Sequence, residues 1–158
     1  MEKRNIYLIL CDIRSAHNVG AMFRTADASG ITKIFLTGYT PRPVDRFNRP
    51  VKEILKTALG AEKNIPWEHS PNTLEVIKDL KKKKVEIIAL EQSPEALDYK
   101  KVKAGKEIAL IVGNEVLGLP KEILVVADTI AEIPMKGGKE SLNVSVALGV
   151  ALFRILDI

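Results

Sequence analysis

The segment Glu132-Ile-Pro-Met-Lys-Gly-Gly-Lys-Glu-Ser-Leu-Asn-Val-Ser145 decides how this chain folds. It begins at the end of an apolar strand and leads into a nearly all-apolar helix, Val144 to Leu156. Between them lie a double glycine and two small polar residues, Ser141 and Asn143. Glycine lets a backbone approach a ligand closely, and Ser or Asn at a helix start can cap the helix or hold a ligand. The segment therefore predicts a small-molecule pocket built largely from backbone at the end of a strand.

Strand-like and helix-like segments alternate along the rest of the chain. The predicted strands are Ile6–Cys11, Lys33–Thr37, Ile65–His69, Val85–Leu90, Glu107–Val112 and Thr129–Ile133. The predicted helices are Asn18–Ser29, Val51–Leu59, Thr73–Lys83, Lys121–Ala127 and a last one from Leu142 onward, with a polar loop over residues 91–106. Continuous apolar strands such as Ile108–Val112 are typical of a sheet that is covered on both faces. The pattern predicts an α/β fold with a parallel sheet, in which ligands bind at the carboxyl ends of the strands.

The composition indicates one globular domain in a reducing compartment. A length of 158 residues is that of a single domain. Cys11 is the only cysteine, which excludes an internal disulfide. We expect a cytoplasmic protein with no membrane partner, because the sequence shows neither a signal peptide nor an apolar run of bilayer length. Two histidines and one cysteine, far apart in sequence, indicate no metal site.

The last helix is apolar almost all round, and such a helix has to be covered on more than one face. In a chain of this size, part of that cover can come from a second copy. We therefore expect a homodimer that uses this helix. Aromatic residues make up only 5% of the chain, which predicts no aromatic platform for stacking nucleobases.

Two further clusters follow predicted strands. Asn18, Gly20 and Arg24 lie at the start of the first helix, where an anion could bind. The segment Gly113-Asn-Glu-Val-Leu-Gly118 brings Glu115 to the ligand edge of the sheet. It lacks the Gly-Lys-Ser/Thr ending of a phosphate-binding loop, and the chain has no dinucleotide glycine pattern. Taken singly, each of these two clusters is better explained as a helix cap or an ordinary turn.

Taken together, the three clusters resemble the SpoU-like (TrmH-like) branch of the SPOUT RNA methyltransferases. The matching motifs are Asn18-x-Gly20-x-x-x-Arg24, Lys56-Thr-Ala-Leu-Gly-Ala61, Ile111-Val-Gly-Asn-Glu-x-x-Gly-Leu119 and Ile133-Pro-Met-x-x-x-x-x-Ser-Leu-Asn143. The resemblance covers nearly the whole chain. It implies S-adenosylmethionine-dependent methylation of a ribose 2′-hydroxyl in tRNA or rRNA. It also implies an α/β knot fold with a deep C-terminal trefoil knot, and a homodimer.

The resemblance also implies roles for individual residues. The implied cofactor-binding residues are Leu90, Gly113, Ile133, Met135, Ser141 and Leu142. The implied catalytic set is Asn18, Arg24, Glu115, Ser141 and Asn143. Arginine stays protonated in proteins, so our hypothesis is that Arg24 holds the phosphate beside the target ribose and stabilises the developing oxyanion. Asn18 and Asn143 would orient Arg24 and the substrate, and Glu115 would anchor a neighbouring helix start or pair with Arg24.

Substrate recognition remains open at this point. Many relatives carry an added RNA-binding domain, and we expect none in this chain. A basic loop and the helix after it are expected to contact RNA through Arg42, Arg46, Arg49, Lys52 and Lys56. Two other functions remain possible on the sequence: methylation of a base rather than a ribose, and a catalytically silent RNA-binding dimer. A third, a nucleotide-binding α/β protein of another kind, is disfavoured by the missing phosphate-loop and dinucleotide glycine patterns.

Overall fold

The structure, a computed structural model, describes residues 3–158. Within these residues the strands are β1 (Asn5–Cys11), β2 (Lys33–Thr37), β3 (Trp67–Ser70), β4 (Glu86–Leu90), β5 (Leu97–Asp98), β6 (Glu107–Val112) and β7 (Thr129–Glu132). The helices are α1 (Ala16–Ser29), α2 (Lys52–Ala58), α3 (Ala61–Asn64), α4 (Thr73–Lys82), α5 (Lys121–Val126) and α6 (Val144–Leu156), with a 3₁₀ turn at Tyr99–Lys101. The strands form one sheet in the order β3-β2-β1-β6-β4-β7-β5.

Every strand pair in this sheet is parallel, as predicted. The loops that follow β1, β2, β4, β6 and β7 therefore all leave from the same edge. β1 and β6 lie side by side at the centre, with Leu10 opposite Val112 near their carboxyl ends. Because Cys11 pairs with Thr37, β1 and β2 also end together. This register brings the three motif clusters to one edge of the sheet.

The sheet is buried on both faces. Along β1, Leu8 and Leu10 belong to a core that includes α1, α2 and α6, whereas Ile9 and Cys11 belong to a second core with α4 and α5. Side chains of a strand alternate between faces, so a continuous apolar run fills both cores at once. This is why the apolar strands could be recognised from sequence.

Most predicted elements are confirmed, with boundaries that differ by one or two residues. The prediction of a loop over residues 91–106 was incomplete, because β5 pairs there with β7. The predicted helix over 51–59 ends at Ala58, and α3 follows it as a separate turn. α6 begins at Val144 rather than Leu142, since Asn143 caps it. Among residues 3–158, no helix is both long and apolar enough to cross a bilayer.

α6 has one covered side and one open side. Leu148, Leu152 and Ile155 are buried against the rest of the chain. Val146, Val150 and Phe153 are exposed, and their spacing of four and three residues puts them on one stripe. We call these three residues the α6 stripe. The chain therefore leaves open part of the apolar surface that the sequence predicted to be covered.

α1 and α2 pack closely because Gly20 has no side chain. A Cβ at this position would approach Thr57 Oγ1 and the carbonyl oxygen of Ile54 more closely than real Cβ atoms do. Thr57 Oγ1 also donates a hydrogen bond to the carbonyl of His17, 2.9 Å away. The glycine of the first motif is therefore needed for packing between helices rather than for contact with a ligand.

We predict that Gly20→Ala destabilises the protein by about 1–3 kcal/mol, because backbone on α2 has to move to make room. Urea unfolding would measure the change. Gly149→Ala is the matched control, since Gly149 also lies inside a helix and its added Cβ would meet only Thr25 Cγ2, at 3.9 Å. The control should be neutral or stabilising by up to about 1 kcal/mol. Equal stability of the two variants would contradict the packing role of Gly20.

Candidate functional site

A cavity of about 520 Å³ opens at the carboxyl ends of β4, β6 and β7. This volume is in the range of pockets that bind small ligands. Three segments surround it, and each continues directly from one of these strands. Its lining residues are Leu90–Gln92, Val112–Leu119, Leu124, Glu132, Ile133, Met135 and Glu140–Val144, with Ala147 on α6. The segment at 132–144 is the one predicted to form a pocket, and its position confirms that prediction of location.

The turn after β6 has a tight backbone. A Cβ at Gly113 would lie 2.7 Å from the backbone of Gly118 and Leu119, so only glycine fits there. Gly118 has φ +67° and packs against the carboxylate of Glu91. That carboxylate also accepts a hydrogen bond from the N–H of Leu119, at 2.8 Å. The two glycines therefore allow the turn to fold back on itself beside the end of β4.

Asn114 fixes this turn to the end of β1. The residue is buried, and its Nδ2 donates to the carbonyl of Asp12 at 2.9 Å and to Tyr39 Oη at 2.8 Å. Its Oδ1 accepts from the N–H groups of Val116 and Leu117 at 2.9 and 2.8 Å. A buried amide is costly unless its donors and acceptors are satisfied, and here all four bonds are made within the protein.

Glu115 holds the start of α1. Its carboxylate accepts hydrogen bonds from the N–H of Arg14 at 2.9 Å, the N–H of Ser15 at 3.0 Å and Asn18 Nδ2 at 3.1 Å. Partial burial by itself would raise the pKa of Glu115. The hydrogen bonds from the two backbone N–H groups outweigh this effect, so that the pKa lies below its ordinary value. Of the two roles predicted for Glu115, these bonds match the anchor at a helix start, and the ion pairs among residues 3–158 do not include one between Glu115 and Arg24.

Asn18 and Asn143 connect α1 with α6. Asn143 Nδ2 donates to Asn18 Oδ1 at 3.2 Å, while its Oδ1 caps α6 by accepting from Ser145 N at 2.9 Å. Glu115, Asn18 and Asn143 thus form one chain of hydrogen bonds across three motifs. Ser15, rather than Asn18, caps α1, with its hydroxyl accepting from the N–H of Asn18 at 3.1 Å.

The double glycine, Gly137 and Gly138, is less important for the shape of its loop than the sequence indicated. Neither Gly137 nor Gly138 has a positive φ, and a Cβ on either would meet open space. The loop is instead fixed by Gln92, whose Nε2 donates to the carbonyl of Glu140 at 2.7 Å. Among the described glycines that line the cavity, those that the backbone requires are Gly113 and Gly118.

All six predicted cofactor-binding residues line the cavity: Leu90, Gly113, Ile133, Met135, Ser141 and Leu142. Of the predicted catalytic residues, Glu115, Ser141 and Asn143 line it, and Asn18 is bonded to two of these. Arg24 is exposed on α1 and is not among the lining residues. The orientation of Arg24 by Asn18 and Asn143 stays a prediction, and in the single chain these two amides hydrogen-bond to each other.

The lining of the cavity is acidic and apolar. Four glutamates contribute to it: Glu91, Glu115, Glu132 and Glu140. Among the described residues that line it, there is no lysine, arginine or histidine. In the part of the chain covering residues 3–158, no group of three or more His, Cys, Asp or Glu side chains is arranged to hold a metal ion. The cavity suits a ligand with positive charge and apolar parts far better than a phosphate.

Comparison with known proteins now identifies the family. Residues 5–153 match the SpoU rRNA Methylase family. The chain belongs to the SpoU methylase family. It is 36% identical over 148 residues to a 23S rRNA (guanosine-2′-O-)-methyltransferase of Xylella fastidiosa, covering 94% of this chain and 57% of that protein. It is 31% identical over 155 residues to a tRNA (guanosine(18)-2′-O)-methyltransferase of Aquifex aeolicus, covering 97% of this chain and 70% of that protein.

Solved structures of SpoU methylases show the same fold. An AdoMet-bound rRNA methyltransferase from Sinorhizobium meliloti superimposes with a TM-score of 0.88 at 30% identity, covering 99% of this chain and 57% of that one. The TrmH/SpoU tRNA modifying enzyme of A. aeolicus gives 0.85 at 27% identity, covering 99% and 76%. The fold class predicted from sequence is thereby confirmed, whereas the trefoil knot remains a prediction. The chain spans less than three fifths of the length of the first of these relatives.

Sequence reasoning missed the residues whose hydrogen bonds fix the turn at 113–118 of this SpoU methylase site. Asn114 was considered only as part of a motif and was given no role of its own, although its side chain makes four hydrogen bonds. Glu91 and Tyr39 were not singled out, because their partners lie far away in sequence. The available signal for Asn114 was a polar residue two positions after an apolar strand, a place where an unsatisfied amide would be costly.

We predict that Glu115→Gln lowers stability by about 1 kcal/mol at neutral pH, because a neutral amide cannot accept all the bonds that the carboxylate accepts. The pKa of Glu115 is lowered in the folded protein. The contribution of the Glu115 carboxylate to the free energy of unfolding should therefore be constant above its pKa in the unfolded chain, about 4.3. It should be lost as the pH falls through the pKa of Glu115 in the folded protein. Urea unfolding of both proteins between about pH 7 and pH 3 measures this, and a difference that widens toward low pH would contradict the assignment.

Proposed function

We propose that this chain is an RNA methyltransferase that transfers a methyl group from S-adenosylmethionine to a ribose 2′-hydroxyl. The observation that carries the proposal is the cavity, where three motif segments of a SpoU methylase meet in an acidic and apolar lining. Both relatives named above are described as 2′-O-methyltransferases. A ribose methylated at its 2′-oxygen is the product that distinguishes this proposal from methylation of a base.

The chemistry of the lining fits the methyl donor. S-adenosylmethionine supplies an electrophilic methyl group on a positively charged sulfur. Leu90, Ile133 and Leu142 offer apolar contacts for its ring, and backbone groups of the turns at 113–118 and 132–144 offer hydrogen bonds. The glutamates favour its positive charge, whereas a nucleotide with several phosphates would be repelled.

The remaining residues would act by position. Asn143 and Asn18 keep the starts of α6 and α1 in a fixed relation, so that the ribose hydroxyl meets a rigid site. Ser141 is exposed at the cavity and can hydrogen-bond the substrate. Glu115 acts through the bonds it makes to the start of α1 and is a positioning residue.

Arg24 would supply the positive charge that the cavity lacks. In our proposal its guanidinium holds the phosphate beside the target ribose and stabilises the charge that develops on the hydroxyl oxygen. Arg24 lies outside the lining in the single chain, so this role requires the substrate or a second copy to bring the two together. The adjacent residue, Thr25, lies on the side of α1 that faces Gly149 of α6.

A homodimer would meet this requirement. The α6 stripe is an exposed apolar surface, and a second copy could cover it. In sequence, Gly149 lies between Val146 and Val150 of the α6 stripe, and Thr25, the neighbour of Arg24, faces it. This part of α1 therefore borders the α6 stripe. Pairing through α6 would therefore bring Arg24 to the edge of the interface. The predicted cytoplasmic location and the recognition of tRNA or rRNA belong to the same proposal.

We predict that the protein binds S-adenosylmethionine in calorimetry and transfers labelled methyl groups to tRNA or rRNA, with 2′-O-methylnucleosides after digestion. Arg24→Lys keeps the charge but loses the planar pair of donors, so turnover should fall at least about tenfold. Affinity for S-adenosylmethionine should not change, because Arg24 does not line the cavity.

Arg154→Lys is the matched control, since Arg154 is an exposed arginine whose Nη2 bonds the carbonyl of Lys100. It should keep full turnover. Full activity of Arg24→Lys would refute the proposed role of the guanidinium. Base-methylated nucleosides would make the chain a base methyltransferase, and absent donor binding would favour a silent RNA-binding protein.

For the dimer, we predict that Val150→Asp dissociates the protein in sedimentation at micromolar concentration, because a carboxylate would be buried in an apolar interface. Val125→Asp changes a valine on α5 that is more exposed than Val150, and it should leave the dimer intact. A wild-type monomer, or a dimer unaffected by Val150→Asp, would rule out pairing through the α6 stripe.

A further inference from the structure

The basic loop exposes an aromatic ring between two arginines. Phe47 has 62% of its surface accessible. The guanidinium carbons of Arg46 and Arg49 each lie 4.8 Å from the centroid of its ring. We call these three residues the Phe47 cluster. The Phe47 side chain belongs to neither core, so its exposed ring is available to a partner.

The loop is held in shape by its own hydrogen bonds. Asp45 Oδ1 accepts from the N–H groups of Phe47 at 2.8 Å and Arg49 at 3.0 Å, and its Oδ2 accepts from Arg49 Nε at 2.8 Å. An antiparallel bridge between Val44 and Pro50 closes the base of the loop. The Asp45 carboxylate is therefore used within the loop, and the ring is presented in a preorganised conformation.

Both ends of the loop are fixed to the functional site. Near its start, Tyr39 Oη accepts a hydrogen bond from Asn114, and Thr40 Oγ1 donates to the carbonyl of Leu10 at 2.9 Å. At its end, α2 packs on α1, the helix that carries Asn18 and Arg24. The Phe47 cluster thus has a fixed position relative to the proposed catalytic residues.

Charge decides the kind of partner. Residues 38–56 contain five lysines and arginines but only two acidic residues. One of these acids is Asp45, which is already paired with Arg49. A basic surface with an exposed aromatic ring is the combination that binds single-stranded nucleic acid, where bases stack on the ring and cations contact the backbone phosphates.

We propose that the Phe47 cluster binds an unpaired nucleotide of the substrate RNA, near the nucleotide that is methylated. The base stacks on the Phe47 ring in place of one guanidinium, and the displaced arginine contacts a flanking phosphate. This exchange is possible because cation–π contacts at exposed sites are weak. The inference rests on the proposed RNA methyltransferase function, and it replaces our expectation from composition that no stacking platform exists.

The test uses a short single-stranded RNA that carries 2-aminopurine, whose fluorescence is quenched when the base stacks on an aromatic ring. Wild type should bind it with quenching. Phe47→Leu should bind about 5- to 100-fold more weakly and without quenching, whereas Phe47→Tyr should behave like wild type. Phe47→Leu should leave the salt dependence of binding unchanged, whereas Arg46→Gln should reduce its slope by about 0.7.

Val125→Ala is the control for loss of an exposed apolar side chain and should bind as wild type does. Phe47→Leu should also keep the wild-type melting temperature, because the ring belongs to neither core. Three results would overturn the proposal: unchanged affinity and quenching in Phe47→Leu, no binding of the RNA by wild type at low salt, or an equal loss of affinity for a duplex of the same sequence.

Calorimetry with S-adenosylmethionine and methyl transfer to tRNA and rRNA, run on the same preparations, separate the two proposals. Absent donor binding or transfer in wild type counts against the methyltransferase function itself. Normal donor binding and methyl transfer, together with an unaffected Phe47→Leu variant, reject only the stacking site.

Discussion

The rest of the site depends on the hydrogen bonds that Asn114 and Glu115 make across the ends of β1 and β6. Both side chains come from the turn after β6, and both bind backbone that follows β1. Buried or half-buried polar groups of this kind are costly when unpaired, so the two turns are stable only together. The start of α1, and with it Asn18, has its position because of this pairing.

The topology explains why this connection lies where it does. From β1 the chain moves outward through β2 to β3, whereas β6, β4 and β7 lie on the other side of β1. The loop after β1 therefore leaves in one direction and the loop after β6 in the other. In open α/β sheets, two neighbouring strands whose loops diverge in this way form a crevice for ligands. Here Asn114 and Glu115 close the crevice between β1 and β6. The cavity lies instead beside them, above β4, β6 and β7.

The sequence predicted well those features that depend on local pattern. β2 and β6 were predicted to the residue, because each is a continuous apolar run that both cores require. The two-residue strand β5 could not be predicted, since only its pairing with β7 defines it. The cavity was located from motifs at strand ends, but the position of Arg24 was not, because a motif fixes spacing along the chain rather than the direction of a side chain. Composition gave no indication of the exposure of Phe47, since a count of aromatic residues does not tell which of them is exposed.

Two surfaces of opposite charge lie at the same edge of the sheet. The cavity above β4, β6 and β7 is lined by glutamates, whereas the loop after β2 carries arginines and lysines. The proposed reaction between a cationic donor and a polyanionic acceptor would need both surfaces, and they would have to be kept apart so that neither neutralises the other. Asn114 contacts both, since its turn lines the cavity and its Nδ2 bonds Tyr39 at the start of the basic loop. One buried amide therefore sets the relative position of the two binding surfaces, which is why we regard it as more important to the site than its place in the motif suggests.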